Sequence, residues 1–195
     1  MPRSSARCLM VALGLGLLAV PVAAANAGWW PRLGVHDLTG APLAASGRWI
    51  VVVFISPECP VANASVPVLN ALAQEFGPRG FTFVGAYADP SIGLPALRQH
   101  AKEYGLVFAT TDDRKHQLVR ATGATYTPEV FVFTADGARL YRGRIDDRVG
   151  DFGEARPTAV QQDLREVLVA LAAGRTGPFP GKMGFGCTIP EVVKP

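Results

Sequence analysis

Apolar residues along this chain fall into unbroken runs and into helically spaced groups, and the two patterns alternate. The run 49–55 is apolar without interruption, which is typical of a strand buried on both faces, and 81–87 predicts a second strand. Between them, apolar residues recur at helical spacing from residue 59 to residue 76. The same patterns predict further helices at 91–104, 114–121 and 161–173, and further strands at 107–109, 129–134 and 139–144. This order predicts an α/β sandwich with a mixed central sheet.

Turn-forming residues set the expected ends of several elements. Ser91 is a candidate N-cap for the helix that follows the second strand, and Asp112-Asp113 can open the next helix. Near the start, the segment 33–35 and the turn at 37–40 predict a short strand and a hairpin.

The first 27 residues have the organisation of a secretory signal peptide. Arg3 and Arg7 give a basic start, 9–20 is a short apolar stretch, and Ala25-Asn26-Ala27 fits the small-x-small cleavage rule. The apolar stretch is shorter than the roughly 20 residues that a spanning helix needs. We therefore expect cleavage after residue 27 and a periplasmic or secreted protein, with an uncleaved anchor as the alternative.

Cleavage leaves a domain at 28–173 and a Gly/Pro-rich tail at 174–195, which we expect to be flexible. It removes two of the 19 Lys and Arg and none of the 16 Asp and Glu, so the net charge falls from +3 to +1. This balance argues against nucleic-acid binding, and no later segment is long and apolar enough to span a bilayer. Cys59 and Cys187 remain, which permits one disulfide.

Cys59 is the strongest candidate for chemistry. It follows the buried run 49–55 and stands between Pro57 and Pro60, where a helix begins. A helix N-terminus offers unpaired N–H groups and a partial positive charge, and both stabilise the reactive thiolate. Glu58 opposes thiolate formation unless it points to solvent. The alternative is a small buried hydrophobe without chemical function.

Two segments resemble the halves of a thioredoxin-fold active site: the strand–turn–Cys–helix unit at 49–76 and the Thr127-Pro128 step before the strand at 129–134. The local sequence is most similar to the secreted redoxin group, which is related to alkyl hydroperoxide reductase/thiol-specific antioxidant domains. The stretches that carry this similarity are SPECPV at 56–61, TPEVFV at 127–132, YRGRIDDR at 141–148 and FGC at 185–187.

This resemblance extends over about residues 30–190 and implies a thioredoxin-like α/β sandwich. It also implies a cis Thr127–Pro128 peptide bond opposite Cys59, with a trans bond at the start of an edge strand as the alternative. The backbone of Thr127 could then pair with an extended partner peptide. The residues implied in substrate binding are Thr127, Pro128, Ser56 and Pro60.

The match is incomplete at the positions that decide the chemistry. Thioredoxins carry a second cysteine three residues after the first, where this chain has Ala62. Peroxiredoxins carry a proline seven residues before the cysteine and an arginine beside it, and Val52 and Pro128 occupy those places. Copper-delivering relatives carry a cysteine where Asn63 stands. The candidate site is therefore a hybrid, with one cysteine, a thioredoxin-type proline and no assignable arginine.

Three functional hypotheses remain. The first is a thiol–disulfide oxidoreductase in which Cys59 attacks protein or small-molecule disulfides, with resolution by Cys187 or by an external thiol reductant. The second is a thiol peroxidase with antioxidant activity, in which peroxide oxidises Cys59. The third is a non-catalytic redoxin domain that binds a partner or copper. We expect no cofactor and no metal site, since His36, His100 and His116 are scattered and are expected on the surface.

Overall fold

The computed structural model describes residues 28–150 and 156–192, so the predicted signal peptide at 1–27 lies outside the described residues. The described residues form seven strands and five α-helices. The strands are β1 (Trp49–Ile55), β2 (Phe81–Tyr87), β3 (Ala109–Asp112), β4 (Tyr126–Thr127), β5 (Glu129–Thr134), β6 (Arg139–Gly143) and β7 (Cys187–Thr188). The helices are α1 (Trp29–Arg32), α2 (Pro60–Phe76), α3 (Leu94–Glu103), α4 (Gln117–Thr122) and α5 (Asp163–Ala172). Within these two ranges, none of the helices has the length and hydropathy required to cross a bilayer.

β1 is the middle strand of a five-stranded sheet with the order β3-β2-β1-β5-β6. It pairs in parallel with β2 and antiparallel with β5, and all seven of its residues are buried. Parallel neighbours need crossover connections, which α2 and α3 supply. A tight turn joins β5 to β6 as the predicted hairpin. The prediction of a mixed central sheet is confirmed.

Helices cover both faces of this sheet because successive β1 side chains point to opposite sides. Val51, Val53 and Ile55 pack with the apolar faces of α2, α3 and α5. The intervening residues of β1 pack on the other side with Trp30 of α1 and Leu118 of α4. The result is a three-layer α/β sandwich.

Two predicted elements are displaced. α3 begins at Leu94 rather than at Ser91, because the Ser91 hydroxyl donates to the Asp89 carboxylate in a local turn instead of capping the helix. The strand expected at 107–109 is shifted toward the C-terminus, since its ladder with β2 begins only at Ala109.

The predictions for the N-terminal segment and for α4 are partly wrong. Residues 33–35 do not form a strand; the chain leaves α1 and makes isolated bridges at His36 and Asp37. α4 begins three residues later than predicted, after His116 in the left-handed region. Asp113 still opens this helix, because its carboxylate accepts the N–H groups of Leu118 (2.8 Å) and the next residue (2.9 Å).

The Gly/Pro-rich tail, which we expected to be flexible, is packed against the domain over its described residues. The Phe179 N–H donates to the Leu140 carbonyl (2.7 Å), and the Arg144 N–H donates to the Lys182 carbonyl (2.9 Å). A side chain at Gly181 would overlap the backbone of β6, so glycine permits this approach. The tail therefore follows β6 and then crosses to β4 as β7.

Leu69 tests how far this core sets stability. It is fully buried on α2 against the sheet, so Leu69→Ala should lower the free energy of unfolding by about 2–5 kcal/mol through lost burial and a residual cavity. Denaturant unfolding measures the change. Val107→Ala is the control, because Val107 is 51% exposed and its loss should change stability by less than about 0.5 kcal/mol. Equal effects of the two substitutions would contradict the described packing.

Candidate functional site

Cys59 occupies the N-cap position of α2. Its backbone is extended, with φ −94° and ψ 106°, and its Sγ accepts the N–H of Ala62 at 3.4 Å. Pro60, the first helical residue, has no N–H to leave unpaired and is exposed. The position that holds a second cysteine in thioredoxins therefore supplies a backbone donor to the first one.

A short turn carries the chain from β1 to Cys59. The Cys59 N–H donates to the Ser56 carbonyl at 3.2 Å, and the Ser56 hydroxyl accepts the N–H of Glu58 at 3.3 Å. Glu58 is exposed, whereas the Cys59 side chain is buried. Because Glu58 is exposed to solvent, its carboxylate opposes the Cys59 thiolate less than the helix N-terminus stabilises it.

The Thr127–Pro128 peptide bond is cis, as the resemblance implied. Thr127 and Pro128 are both buried, and in the thiol form the Cys59 S–H donates to the Thr127 carbonyl at 3.2 Å. The cysteine and the proline step are 68 residues apart in the chain and are in direct contact in the fold.

Cys187 lies at the same place, on β7. It is paired opposite Thr127 in the β4–β7 ladder, and the Thr127 hydroxyl donates to the Cys187 carbonyl at 3.4 Å. The ladder continues where the Ile189 N–H donates to the Thr125 carbonyl at 3.0 Å. Cys59 and Cys187 are both free thiols, the first buried and the second partly exposed.

The two sulfurs have opposite electrostatic environments. Burial disfavours the Cys59 thiolate. Hydrogen bonds to the sulfur from the Cys187 and Thr127 side chains and from the Ala62 N–H outweigh this effect and hold the pKa of Cys59 below its ordinary value. Burial, together with the hydrogen bond to Cys59 and the charge on it, raises the pKa of Cys187 to about 11. Of the two thiols, Cys59 therefore ionises first, and Cys187 keeps its proton to higher pH.

A cavity of about 240 Å³ opens in front of the two cysteines. Among the described residues that line it, none is basic, while Glu58 and Asp89 are acidic. Ser56 and Thr127 also face it, whereas Pro60 and Pro128 do not. A substrate would therefore reach the sulfur past neutral and acidic groups and past backbone.

Sequence reasoning missed the ion pair that supports the Thr127–Pro128 step. Glu129 is 2% exposed; one of its carboxylate oxygens accepts from the Arg142 guanidinium at 2.6 Å and the other from the Thr125 N–H at 2.9 Å. This pair fixes the segment on both sides of the cis bond. The available signal was an acidic residue that opens an otherwise apolar strand, a pattern that requires a buried partner.

Two of the three histidines do not lie on the surface, where they were expected. His36 is exposed, but His100 and His116 are buried. Nε2 of His116 lies 2.7 Å from the Ala88 carbonyl. Nδ1 of His100 forms a buried hydrogen bond with the Tyr87 hydroxyl. In the two described ranges, no three His, Cys, Asp or Glu side chains are grouped so that they could hold a metal ion.

Part of this chain matches a known protein family and a curated relative in sequence. Residues 36–138 match the model of the AhpC/TSA family. The soluble secreted antigen MPT53 of Mycobacterium tuberculosis is 27% identical over 107 residues, which are 53% of this chain and 60% of that relative. The chain thus spans less than two thirds of the length of this curated relative.

Two crystal structures extend the comparison to three dimensions. An uncharacterized conserved protein from Geobacillus kaustophilus aligns with TM-score 0.72 and 25% identity, over 83% of this chain and 89% of that one. A secreted disulfide oxidoreductase of Mycobacterium tuberculosis, homologous to E. coli DsbE, aligns with TM-score 0.53 and 24% identity, over 72% and 98%. The thioredoxin-like α/β sandwich that the resemblance implied is confirmed.

The difference between the pKa values of the two thiols can be measured directly. When the reduced protein is titrated and thiolate formation is followed by ultraviolet absorbance, we expect two steps, the first below the ordinary cysteine range and the second near the value of about 11 given for Cys187. Cys59→Ser should remove the early step. In the same variant Cys187 loses the charge and hydrogen bond of its neighbour, so its step should move to lower pH. Two overlapping steps at the ordinary cysteine pKa would contradict this electrostatic description.

Proposed function

The chain belongs to the AhpC/TSA family, and we propose that it acts as a thiol–disulfide oxidoreductase with Cys59 as the nucleophile. The observation that carries this proposal is the position of the Cys59 sulfur, at a helix N-terminus and in contact with Thr127 beside a cis proline. Its lowered pKa increases the fraction of thiolate, and thiolate is the form that attacks disulfides. The cavity in front of it gives a substrate access.

In the first step the Cys59 thiolate attacks one sulfur of a substrate disulfide. The substrate S–S bond breaks, a mixed disulfide forms on Cys59, and the second substrate sulfur leaves as a thiolate that takes up a proton. The substrate contacts the Thr127 backbone and Ser56, which face the cavity, whereas Pro128 and Pro60 lie outside the cavity lining and act through their chain neighbours Thr127 and Cys59. Both protein and small-molecule disulfides fit this scheme.

In the second step Cys187 resolves the mixed disulfide. Its thiolate attacks the Cys59 sulfur, the substrate leaves reduced, and an intramolecular disulfide remains for an external thiol to reduce. The charge and hydrogen bonding of Cys59 contribute to the high pKa of Cys187. Because the mixed disulfide carries no charge on Cys59, that contribution disappears when the first step is complete. The first step thus prepares the second nucleophile.

An extended substrate strand and β7 compete for the same edge of β4. An incoming strand that pairs with Thr127, as in strand addition, must displace the residues around Cys187, which are paired there in the reduced protein. Return of β7 then removes the substrate strand and brings Cys187 back to Cys59. Resolution and product release are therefore one movement of the tail.

The protein is proposed to act in the periplasm or outside the cell. The predicted signal peptide at 1–27 supports this location, and MPT53 is described as a soluble secreted antigen. A disulfide-exchanging thiol pair also suits an oxidising compartment.

Peroxide reduction is the second candidate, and membership of the AhpC/TSA family favours it. Peroxide would oxidise Cys59 to a sulfenic acid, which Cys187 would condense to a disulfide with loss of water. No basic residue is found among the described residues lining the cavity, which favours disulfide exchange. Stopped-flow measurement of thiol loss separates the two, since rapid loss with peroxide identifies a peroxidase and slow loss identifies an exchange enzyme.

Removal of each sulfur should give a different defect. Cys59→Ser should abolish reduction of insulin or a model disulfide, whereas Cys187→Ser should retain the first step and accumulate mixed disulfides at Cys59. Non-reducing peptide mapping of the oxidised wild-type protein should contain a Cys59–Cys187 crosslinked peptide. Full activity of Cys59→Ser would overturn the proposal. A wild type without reducing activity, with partner recovery that survives Cys59→Ser, would instead favour a non-catalytic domain that binds a partner or copper. Free thiols in both positions after mild oxidation would assign resolution to an external thiol.

Gly186 offers a way to loosen the tail without removing a sulfur. A Cβ at this position would overlap the Thr127 carbonyl oxygen, so Gly186→Ala should displace β7 and raise hydrogen exchange at 184–190. The first step with an unfolded disulfide protein should then be several-fold faster per Cys59 thiolate, a comparison that removes the effect of losing the Cys187 hydrogen bond on the Cys59 pKa. The second step should become slower. Gly77→Ala is the matched control, because a Cβ there meets nothing within 4 Å, and it should leave both steps unchanged. An unchanged first-step rate in a protein with a displaced tail would exclude competition for the β4 edge.

A further inference from the structure

A chain of hydrogen bonds runs through the core and ends on the turn that precedes Cys59. The Tyr87 hydroxyl lies 2.7 Å from Nδ1 of His100, and Nε2 of His100 lies 2.9 Å from Oδ1 of Asn63. The Asn63 side-chain amide then donates to the Pro57 carbonyl at 2.8 Å. The chain joins β2, α3 and α2 to the turn, and the reaction described above assigns no role to its members.

The directions of these hydrogen bonds follow from the groups themselves. The amide oxygen of Asn63 only accepts, so Nε2 of His100 carries the proton. Nδ1 is then an acceptor, and Tyr87 donates to it. Burial lowers the pKa of His100, with partial opposition from the Glu103 carboxylate, and so favours this neutral ring. Because His100 fixes the oxygen of the Asn63 amide, the nitrogen must face Pro57.

Asn63 therefore holds the turn through two separate groups. Its backbone N–H donates to the Cys59 carbonyl at 3.0 Å, and its side chain holds the Pro57 carbonyl. Apart from these bonds, the turn is closed by the contacts of Ser56 with the N–H groups of Cys59 and Glu58, at 3.2 and 3.3 Å. The direction of the Cys59 side chain depends on this turn, because the turn sets where the N-cap residue enters α2.

We propose that Asn63 is a positioning residue for Cys59, held in its working orientation by His100 and Tyr87. By fixing the turn, Asn63 keeps the Cys59 sulfur within reach of the Ala62 N–H and of Thr127. This inference rests on the proposed role of Cys59 as the nucleophile. It also gives a function to position 63, where the sequence comparison had shown only that a second cysteine is missing.

The same helix provides a matched control two turns further on. Asn70 is half-buried like Asn63, and its side chain also clamps a loop: its amide nitrogen donates to the Gly105 carbonyl at 2.8 Å, and its oxygen accepts the Val107 N–H at 3.1 Å. Asn70→Ala removes the same kinds of hydrogen bond from α2 without touching the turn before Cys59. A general loosening of α2 would affect the two variants equally.

The test is the pH dependence of Cys59 alkylation by iodoacetamide, resolved from Cys187 by mass spectrometry of the peptides. Asn63→Ala should move the midpoint of the Cys59 profile upward by about half to one pH unit, which is about three- to tenfold less thiolate at neutral pH. Asn70→Ala should leave the midpoint unchanged. The midpoint is used rather than the rate, because a loosened turn also changes access to the sulfur. Equal midpoints in the wild type and Asn63→Ala, with the wild type below the ordinary cysteine range, would overturn the inference.

The outcomes separate this inference from the proposed function. A wild-type midpoint at the ordinary cysteine value would refute the activated nucleophile itself, whatever the variants do. Circular dichroism checks that each variant is folded. If Asn63→Ala is unfolded, Tyr87→Phe replaces it, since it removes only the hydroxyl at the far end of the chain. We then expect a smaller upward movement of the Cys59 midpoint, of about twofold in thiolate, and its absence would count against the inference.

Discussion

The antiparallel pairing of β1 with β5 is the constraint on which the site depends. In this register Phe54, near the end of β1, lies opposite Glu129 at the start of β5. The segment that leaves β1 and the segment that enters β5 must therefore meet at one edge of the sheet. Cys59 belongs to the first segment and Thr127-Pro128 to the second, so the contact between the sulfur and the Thr127 carbonyl follows from the strand pairing. A shift of register by one residue would turn the buried side chains of β1 to the wrong faces.

The proposed chemistry at this edge depends on the opposite pKa shifts of two neighbouring thiols. Cys59 receives backbone N–H donation from the first turn of α2, whereas Cys187 lies on a strand and has no helix terminus to stabilise its anion. Each sulfur then reinforces the difference, because a proton on Cys187 stabilises the charge on Cys59 and that charge holds the proton in place. Thioredoxins place their second cysteine in the same helical turn, whereas the second thiol at this site lies on a distant strand.

The tail brings Cys187 next to Thr127 because its glycines permit close packing as well as flexibility. Glycines allow the backbone to approach β6 and the Thr127 carbonyl at distances that a Cβ would forbid. The segment that composition alone marks as mobile is therefore held by hydrogen bonds to Leu140, Arg144 and Thr125. Its contacts are mostly with backbone, and such contacts can be exchanged for those of another extended strand.

The sequence by itself determined the parts of this protein that depend on local patterns. The uninterrupted apolar run of β1, the helical spacing of α2 and the proline-flanked Cys59 identified the strand–turn–helix unit, and the resemblance to known redoxins added the cis proline. The predicted element boundaries were wrong where a residue had more than one possible hydrogen-bond partner or where a strand end depended on its neighbour. Ser91 could cap a helix or bond to Asp89, and the two ends of β3 depended on the ladder with β2.

Only the tertiary structure decided which distant residues share the site. Cys187 reaches Cys59 through pairing across β4, Glu129 finds Arg142 on the adjacent strand, and His100 orients Asn63 from another helix. None of these contacts leaves a periodic trace in the sequence, because each joins single polar residues from elements far apart in the chain. The strength of these contacts also depends on burial, because hydrogen bonds and charges act strongly where water is excluded. Water is excluded from this site only after the sheet, its helices and the tail have assembled.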